Sequence, residues 1–247
     1  MTLKILQISD CHLLESLQQS HYGAVPEEQL EKLSSIVEQA DYVIFTGDLV
    51  HDASISAYQW LARWCEGFDV PIMFIAGNHD SPKLMEQELP GCEASDIQVY
   101  HVKDWQFIGL NSHKDNTTSG FVSETQLATL DNMLREGSGK SLVFLHHQPV
   151  NVRSSGIDKQ GLLQQKNIQK VFEVHKERIG GVFFGHIHHE WEMQFKGVNY
   201  YGCPSTLYQT KGDCDDYIIT GNLPSCRMIE LDGNKTLASY CVYHEVT

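Results

Sequence analysis

Long apolar runs are missing from this sequence. No stretch approaches the ~18 apolar residues that a membrane-spanning helix needs. The chain opens with MTLKILQISD, in which Gln7 and Ser9 interrupt the apolar stretch, so a secretory leader is not expected. Proline- or serine-rich linkers, repeats and low-complexity tracts are lacking as well. We therefore expect a cytoplasmic protein with no membrane partner, folded as a single domain over residues 1–247.

Positive charge is scarce. The 247 residues include 18 Lys and Arg against 32 Asp and Glu, which gives a formal net charge of −14. A chain this acidic repels the phosphate backbones of nucleic acids, so we expect no nucleic-acid partner. If the protein handles a phosphate group, something other than Lys and Arg must supply the positive charge.

Paired cysteines are also lacking. The seven cysteines are scattered, odd in number and without a Cys-x-x-Cys pair. This spacing argues against a disulfide framework and against a zinc site built from thiolates. The 13 histidines are more informative, because several of them directly follow predicted strands.

Strand-like and helix-like segments alternate through most of the chain. Apolar runs of strand length occur at 3–9, 42–46 and 71–76, and apolar residues at helical spacing span 26–39. After Gly185 the pattern changes to short strand-like runs separated by turn residues. This order predicts an α/β fold in which two sheets pack face to face with helices outside.

Five of the predicted strands end in polar clusters of the metal-ligand type. In chain order they are Asp10-Cys11-His12, Gly47-Asp48, Gly77-Asn78-His79-Asp80, His146-His147 and Gly185-His186-Ile187-His188. Because ligand sites in α/β sheets gather at the carboxyl ends of strands, we expect these clusters to converge. In extended backbone, residues two apart point the same way, which predicts that Asp10 pairs with His12 and His186 with His188.

The side-chain types indicate which ions would bind. Carboxylates, imidazoles and one amide oxygen, without thiolates, suit Mn, Fe or Zn rather than copper(I) or an iron–sulfur cluster. A single buried histidine or an isolated Gly-Asp pair is more often structural. Five such fragments, each after its own strand, favour a metal site, and bound cations would supply the positive charge that the chain lacks.

The ordered motifs resemble the signature of the calcineurin-like metallophosphoesterases. Within that group, the phrases around Asp10, Asp48 and His186, together with Pro204-Ser205-Thr206, are most similar to the bacterial class III cyclic-AMP phosphodiesterases. The resemblance implies a four-layer αββα sandwich of two packed mixed β-sheets flanked by helices. It also implies two divalent or trivalent metal ions, Fe, Mn or Zn. By motif, one ion would be held by Asp10, His12, Asp48 and His188, and the other by Asp48, Asn78, His146 and His186.

His79 and Asp80 are the predicted catalytic residues. His79 follows the expected ligand Asn78, and we assign it as the general acid that protonates the leaving oxygen. The Asp80 carboxylate is expected to orient the His79 ring through a carboxylate–imidazole hydrogen bond. The roles of His147 and His189 stay open.

The resemblance implies hydrolysis of 3′,5′-cyclic AMP to 5′-AMP, with this cyclic nucleotide as the small-molecule partner. Two alternatives remain: a phosphodiesterase or phosphatase for another substrate, such as a glycerophosphodiester or a nucleotide-sugar lipid, and an inactive scaffold. Loss of metal ligands would mark the scaffold, and none is lost. The metal motifs do not separate the two enzymes. The substrate pocket would separate them. Its candidate segments are 21–22, 151–163 and 205–210. Whether two copies form a homodimer stays open.

Overall fold

The computed structural model of the protein describes residues 2–93, 95–233 and 236–244. Its strands are β1 (Leu3–Ile8), β2 (Tyr42–Thr46), β3 (Ile72–Ile75), β4 (Ile97–Val102), β5 (Trp105–Leu110), β6 (Lys140–Leu145), β7 (Ile179–Phe184), β8 (Trp191–Phe195), β9 (Val198–Gly202), β10 (Gln209–Thr210), β11 (Ile219–Gly221), β12 (Ser225–Asp232) and β13 (Thr236–Tyr243). Its helices are α1 (Pro26–Glu31), α2 (Ser34–Val37), α3 (Ile55–Cys65), α4 (Pro82–Glu88), α5 (Glu124–Glu136), α6 (Ser155–Asp158) and α7 (Gln165–Val174). None of the helices in these ranges is both long enough and apolar enough to cross a bilayer.

The strands form two large mixed sheets. One has the order β13-β12-β1-β2-β3, in which β1, β2 and β3 are parallel and β12 pairs antiparallel with β1. The other has the order β4-β5-β6-β7-β9-β8, in which β5, β6, β7 and β9 are parallel. Strands β10 and β11 form a separate two-stranded ribbon. Within each sheet, the parallel strands therefore end at a common edge.

An apolar core joins the two sheets. Ile44 of the first sheet and Phe107, Phe144 and Phe183 of the second are fully buried in one cluster. The Phe144 and Phe183 rings stack with their centroids 5.3 Å apart. The alternate residues of the same strands face outward, because successive side chains of a strand point to opposite faces.

Helices cover the two outer faces. Helices α1, α3 and α4 pack their apolar residues against the outer face of β1, β2 and β3. Helices α5 and α7 do the same on the outer face of β5, β6 and β7. The order is therefore helices, sheet, sheet, helices, which confirms the predicted four-layer αββα sandwich.

The helix predicted over 26–39 is interrupted. α1 ends at Glu31 and α2 begins at Ser34, because the backbone N–H of Leu33 donates to the carbonyl of Leu30, three residues back, at 3.0 Å. Such bonds tighten the chain and end a regular α-helix. Leu30 and Leu33 are still fully buried, so the apolar spacing was a correct indication of the core face although the helix is not continuous.

Substitution of Phe144 tests whether the two sheets share one apolar core. The Phe144→Ala variant should lose about 3–5 kcal/mol of unfolding free energy, because a cavity replaces a ring packed between the sheets. Val174→Ala is a matched control, because Val174 is 73% exposed at the end of α7, and it should change stability by less than about 0.5 kcal/mol. Urea unfolding followed by circular dichroism measures both. Equal stability losses in the two variants would contradict a shared core.

Candidate metal centre

The structure brings the five polar clusters together at one edge of the two sheets. The loops after β1 and β2 lie side by side, since Asp10 N–H donates to the Gly47 carbonyl at 2.9 Å. The second sheet joins them where the backbone N–H of His186 donates to the Asp10 carboxylate at 3.0 Å. Within the second sheet, Gly185 N–H donates to the His146 carbonyl at 3.1 Å, which brings the loops after β6 and β7 together. The site therefore lies where the sheets meet.

One group of ligand atoms surrounds the Asp10 carboxylate. The His188 Nε2 atom lies 3.2 Å from Asp10 Oδ1 and 3.3 Å from His12 Nε2. The His12 Nε2 atom is also 3.9 Å from Asp48 Oδ2. All four residues are buried. Their nitrogen and oxygen atoms converge on a point that would suit one cation.

A second group lies on the other side of Asp48. The His146 Nε2 atom lies 3.4 Å from Asp48 Oδ2 and 3.2 Å from Asn78 Oδ1. The His186 Nδ1 atom is 3.2 Å from the same His146 Nε2 atom. Asp48 Oδ2 therefore faces both groups, which is the position that a bridging carboxylate would occupy.

The hydrogen bonds on the outer side of the histidines fit metal ligation. His146 Nδ1 lies 2.7 Å from the Thr46 carbonyl, and His188 Nδ1 lies 3.2 Å from the Tyr208 carbonyl. Because a carbonyl can only accept, each Nδ1 carries a proton, and each Nε2 is the nitrogen that faces the site. Metal-ligating histidines are held in this way by outer partners. The donor set of the site therefore fits cations.

Burial and mutual charge set the protonation states. Burial alone raises the pKa of both carboxyls, but at Asp10 the attraction of His188 and His146 together outweighs burial and lowers the pKa to about 2. His146 likewise holds the pKa of Asp48 well below its usual value. Burial, reinforced by the charge of His146, lowers the pKa of His186 to about 3. At neutral pH the two carboxylates are charged and His186 is neutral, and these are the forms that bind metals.

The ligand pairs do not lie in extended backbone. Asp10, His12, His186 and His188 all have positive φ, from +48° at His12 to +68° at His186. Consequently His186 faces His146, whereas His188 faces Asp10 and His12, so the prediction that His186 and His188 point the same way is wrong. Positive φ is uncommon for residues other than glycine, and such strain concentrates at functional sites.

The Asp80 carboxylate is directed away from the His79 ring. It accepts hydrogen bonds from the backbone N–H groups of Gly77 at 2.8 Å and Leu49 at 3.1 Å, and from the Tyr58 hydroxyl at 3.0 Å. The expected bond from Asp80 to His79 is therefore wrong, because these side chains leave a tight loop in different directions. Asp80 instead joins the loops that follow β2 and β3.

His51 holds His79 in place. The His79 Nδ1 atom donates to the His51 carbonyl at 2.8 Å, and the two rings stack with centroids 4.6 Å apart. The His51 Nδ1 atom also lies 3.3 Å from His12 Nδ1. The sequence analysis missed His51. Its position three residues after Asp48, in the same loop, was the available signal.

His147 and His189, to which the sequence assigns no role, have different surroundings. His147 is buried, its Nδ1 lies 2.8 Å from the Ser112 hydroxyl, and its ring centroid is 4.9 Å from that of His186. It therefore borders the second group of ligand atoms. The His189 Nδ1 atom instead donates to the Ile187 carbonyl at 2.8 Å. His189 is therefore not part of either group of ligand atoms.

The fold and the site define a hydrolase of the metal-dependent phosphoesterase class. The family profile of the calcineurin-like phosphoesterases matches residues 3–190. The chain belongs to this family, as its motifs predict. The His and Asp clusters of the site, on this fold, support two bound metal ions.

Full-length relatives agree with this assignment. The chain is 31% identical over 243 residues to a 3′,5′-cyclic-nucleotide phosphodiesterase of Nostoc, covering 96% of this chain and 90% of that protein. It is 29% identical over 243 residues to the 3′,5′-cyclic adenosine monophosphate phosphodiesterase CpdA of Escherichia coli, covering 96% and 88%. A dimetal phosphatase from Danio rerio shares the fold, with a TM-score of 0.69 at 14% identity over 98% of this chain and 99% of that one.

Substitution of Gly77 tests whether metal binding depends on the position of the Asp48 carboxylate. A β-carbon at residue 77 would overlap both the carboxylate and the backbone nitrogen of Asp48. Gly77→Ala should therefore displace that carboxylate and lower the bound metal to less than one ion per site. Gly221→Ala is a matched control, because its β-carbon would meet only the Gln209 side chain at 3.7 Å. Elemental analysis of the purified variants gives the metal content. Equal metal content in both would contradict the role of Asp48.

Proposed function

We propose that this protein hydrolyses 3′,5′-cyclic AMP to 5′-AMP with two bound metal ions, Fe, Mn or Zn. The observation that carries the proposal is the position of the Asp48 carboxylate. Its Oδ2 atom lies 3.4 Å from His146 Nε2 and 3.9 Å from His12 Nε2, between two groups of buried ligand atoms. The similarity to the Nostoc and Escherichia coli cyclic-nucleotide phosphodiesterases supports the choice of a cyclic nucleotide.

Seven side chains would hold the ions. When bound, the two ions supply positive charge beside the phosphoryl oxygens and lower the pKa of a water from 15.7 to about 7. The first ion would be held by Asp10, His12, Asp48 and His188, and the second by Asp48, Asn78, His146 and His186. These sets follow the two groups of converging atoms.

His79 would donate the proton to the leaving oxygen. Its Nδ1 keeps its proton in the bond to the His51 carbonyl, so the proton that His79 transfers would be the one that the imidazolium form carries on Nε2. The backbone N–H of His79 donates to Asp48 Oδ1 at 2.9 Å, which ties its position to the shared carboxylate. Asp80 would be a positioning residue. Its carboxylate accepts the Gly77 N–H and so anchors the loop that carries His79.

The charge of the chain favours a small substrate. A cyclic nucleotide is a monoanion that needs only the local field of two ions, whereas a nucleic acid would meet the net charge of −14. A cytoplasmic location and a single domain are part of the same proposal. Free cysteines, most of them buried, suit a reducing compartment, and the shared core between the sheets supports one folding unit.

The direct test compares two substrates under one metal condition. The Mn- or Fe-loaded protein should convert cyclic AMP to 5′-AMP, chelation should abolish the activity, and kcat/KM for cyclic AMP should exceed that for a glycerophosphodiester. A preference for the glycerophosphodiester of about a hundredfold, or about 2.7 kcal/mol at the transition state, would overturn the substrate proposal. The proposed metal site would be unaffected by that result, and the substrate would be a different phosphodiester.

His79→Ala tests the proton donor. The variant should keep its metal and lose about 10²–10⁴-fold in kcat on cyclic AMP, because its alkoxide leaving group needs a proton. The loss should be much smaller on bis-p-nitrophenyl phosphate, whose nitrophenolate leaves without one. His101→Ala, an exposed histidine on β4, is the control and should be unchanged. Equal losses of His79→Ala on both substrates would indicate a role in binding instead.

A further inference from the structure

A row of aromatic rings leads from the candidate metal centre to the surface. The Tyr208 ring centroid lies 4.5 Å from that of His188, and the Tyr22 ring centroid lies 4.4 Å from that of Tyr208. Only 6% of Tyr208 is exposed, whereas 50% of Tyr22 is. The row therefore starts at a metal-ligand candidate and ends in an aromatic ring that is open to solvent.

A second row reaches the same tyrosine from the proton donor. The rings of His79 and His51 stack at 4.6 Å, the His51 and His21 centroids are 4.5 Å apart, and those of His21 and Tyr22 are 4.3 Å apart. Tyr22 is thus the outermost ring of both rows. A ligand held at the metal centre and extended along either row would therefore end at this ring.

The backbone holds Tyr22 in an unusual conformation. Its φ is +48° and that of Gly23 is +86°, within a turn closed by hydrogen bonds between His21 and Ala24 of 2.7 and 3.2 Å. Two central residues with positive φ are typical of a type I′ turn, which usually takes Asn, Asp or Gly. Tyrosine is unusual at such a position, and the turn keeps the Tyr22 ring against Tyr208 while half of the residue stays open to solvent.

The segment that begins at Pro204 supports this ring from behind. The Ser205 hydroxyl donates to the Asp10 carbonyl at 2.8 Å and accepts the Tyr208 backbone N–H at 3.2 Å. The Tyr208 hydroxyl lies 2.9 Å from that of Tyr217, which fixes the far end of the ring. Tyr208 is therefore a rigid backing for Tyr22, coupled directly to the loop that carries Asp10.

We propose that the exposed face of Tyr22 is a stacking platform for the nucleobase of the substrate. This inference rests on the proposed function and deepens it, because it names the residue that would recognise a nucleoside. Stacking on an aromatic side chain suits any flat heteroaromatic base. A glycerophosphodiester has no such ring and would gain nothing from Tyr22, so this residue would separate the two substrate classes that share the metal motifs.

Binding of two product-like ligands tests the platform without turnover. Calorimetric titration of the Mn-loaded protein should give a lower Kd for 5′-AMP than for ribose 5-phosphate, which lacks the base. Tyr22→Ala should raise the Kd of 5′-AMP at least about fivefold, the lower range for loss of one base stack, and leave that of ribose 5-phosphate unchanged. Tyr22→Phe, which keeps the ring, should retain wild-type values.

Exposed Tyr240, on β13, provides the matched control, and Tyr240→Ala should bind both ligands as the wild type does. An unchanged Kd for 5′-AMP in Tyr22→Ala, or an equal rise for both ligands, would overturn the platform. If Tyr22→Ala weakens only 5′-AMP but the wild type does not cleave cyclic AMP, the proposed function fails and the platform stands. If the wild type cleaves cyclic AMP and the Kd of 5′-AMP does not change in the variant, only the platform fails.

Discussion

Two buried carboxylates determine the organisation of this site. Asp10 and Asp48 are almost completely removed from water, and in the described part of the chain their ion-pair partners are imidazoles. Buried charge is costly unless it is paired. The backbone N–H of His186, from the second sheet, donates to Asp10, so the charge that would hold cations also joins the sheets. The two carboxylates that would hold the cations therefore also link the two sheets at the site.

The sequence could predict which residues meet, because the carboxyl ends of parallel strands share an edge. Asp10, Asp48, Asn78 and His146 each follow their own strand, and this order predicted one site. The side-chain types predicted that it would hold cations, and the family resemblance implied two of them. It could not predict the direction of the side chains that leave each loop. Positive φ at His186 and its neighbours, which strand periodicity does not encode, distributes the histidines between two groups.

The same limit explains the errors about supporting residues. Adjacency in sequence suggested that Asp80 orients His79, but the loop after β3 turns the carboxylate toward Gly77 and Leu49. The sequence placed 21–22 among the candidate pocket segments, but it assigned no role to His51, whose contact with the site arises only when separate loops pack together. Residues on strand ends were predictable from pattern, whereas residues that act across loops needed the structure. The inactive scaffold is not supported, since all the expected ligands converge.

The central claim is that one carboxylate, Asp48, is shared by two cations. Anomalous diffraction from crystals of the Mn-loaded protein, recorded on both sides of the metal absorption edge, measures this directly. The account predicts two anomalous peaks per chain, one beside Asp10, His12 and His188 and one beside Asn78, His146 and His186, with Asp48 in contact with both. A single peak, or two peaks of which only one contacts Asp48, would contradict it.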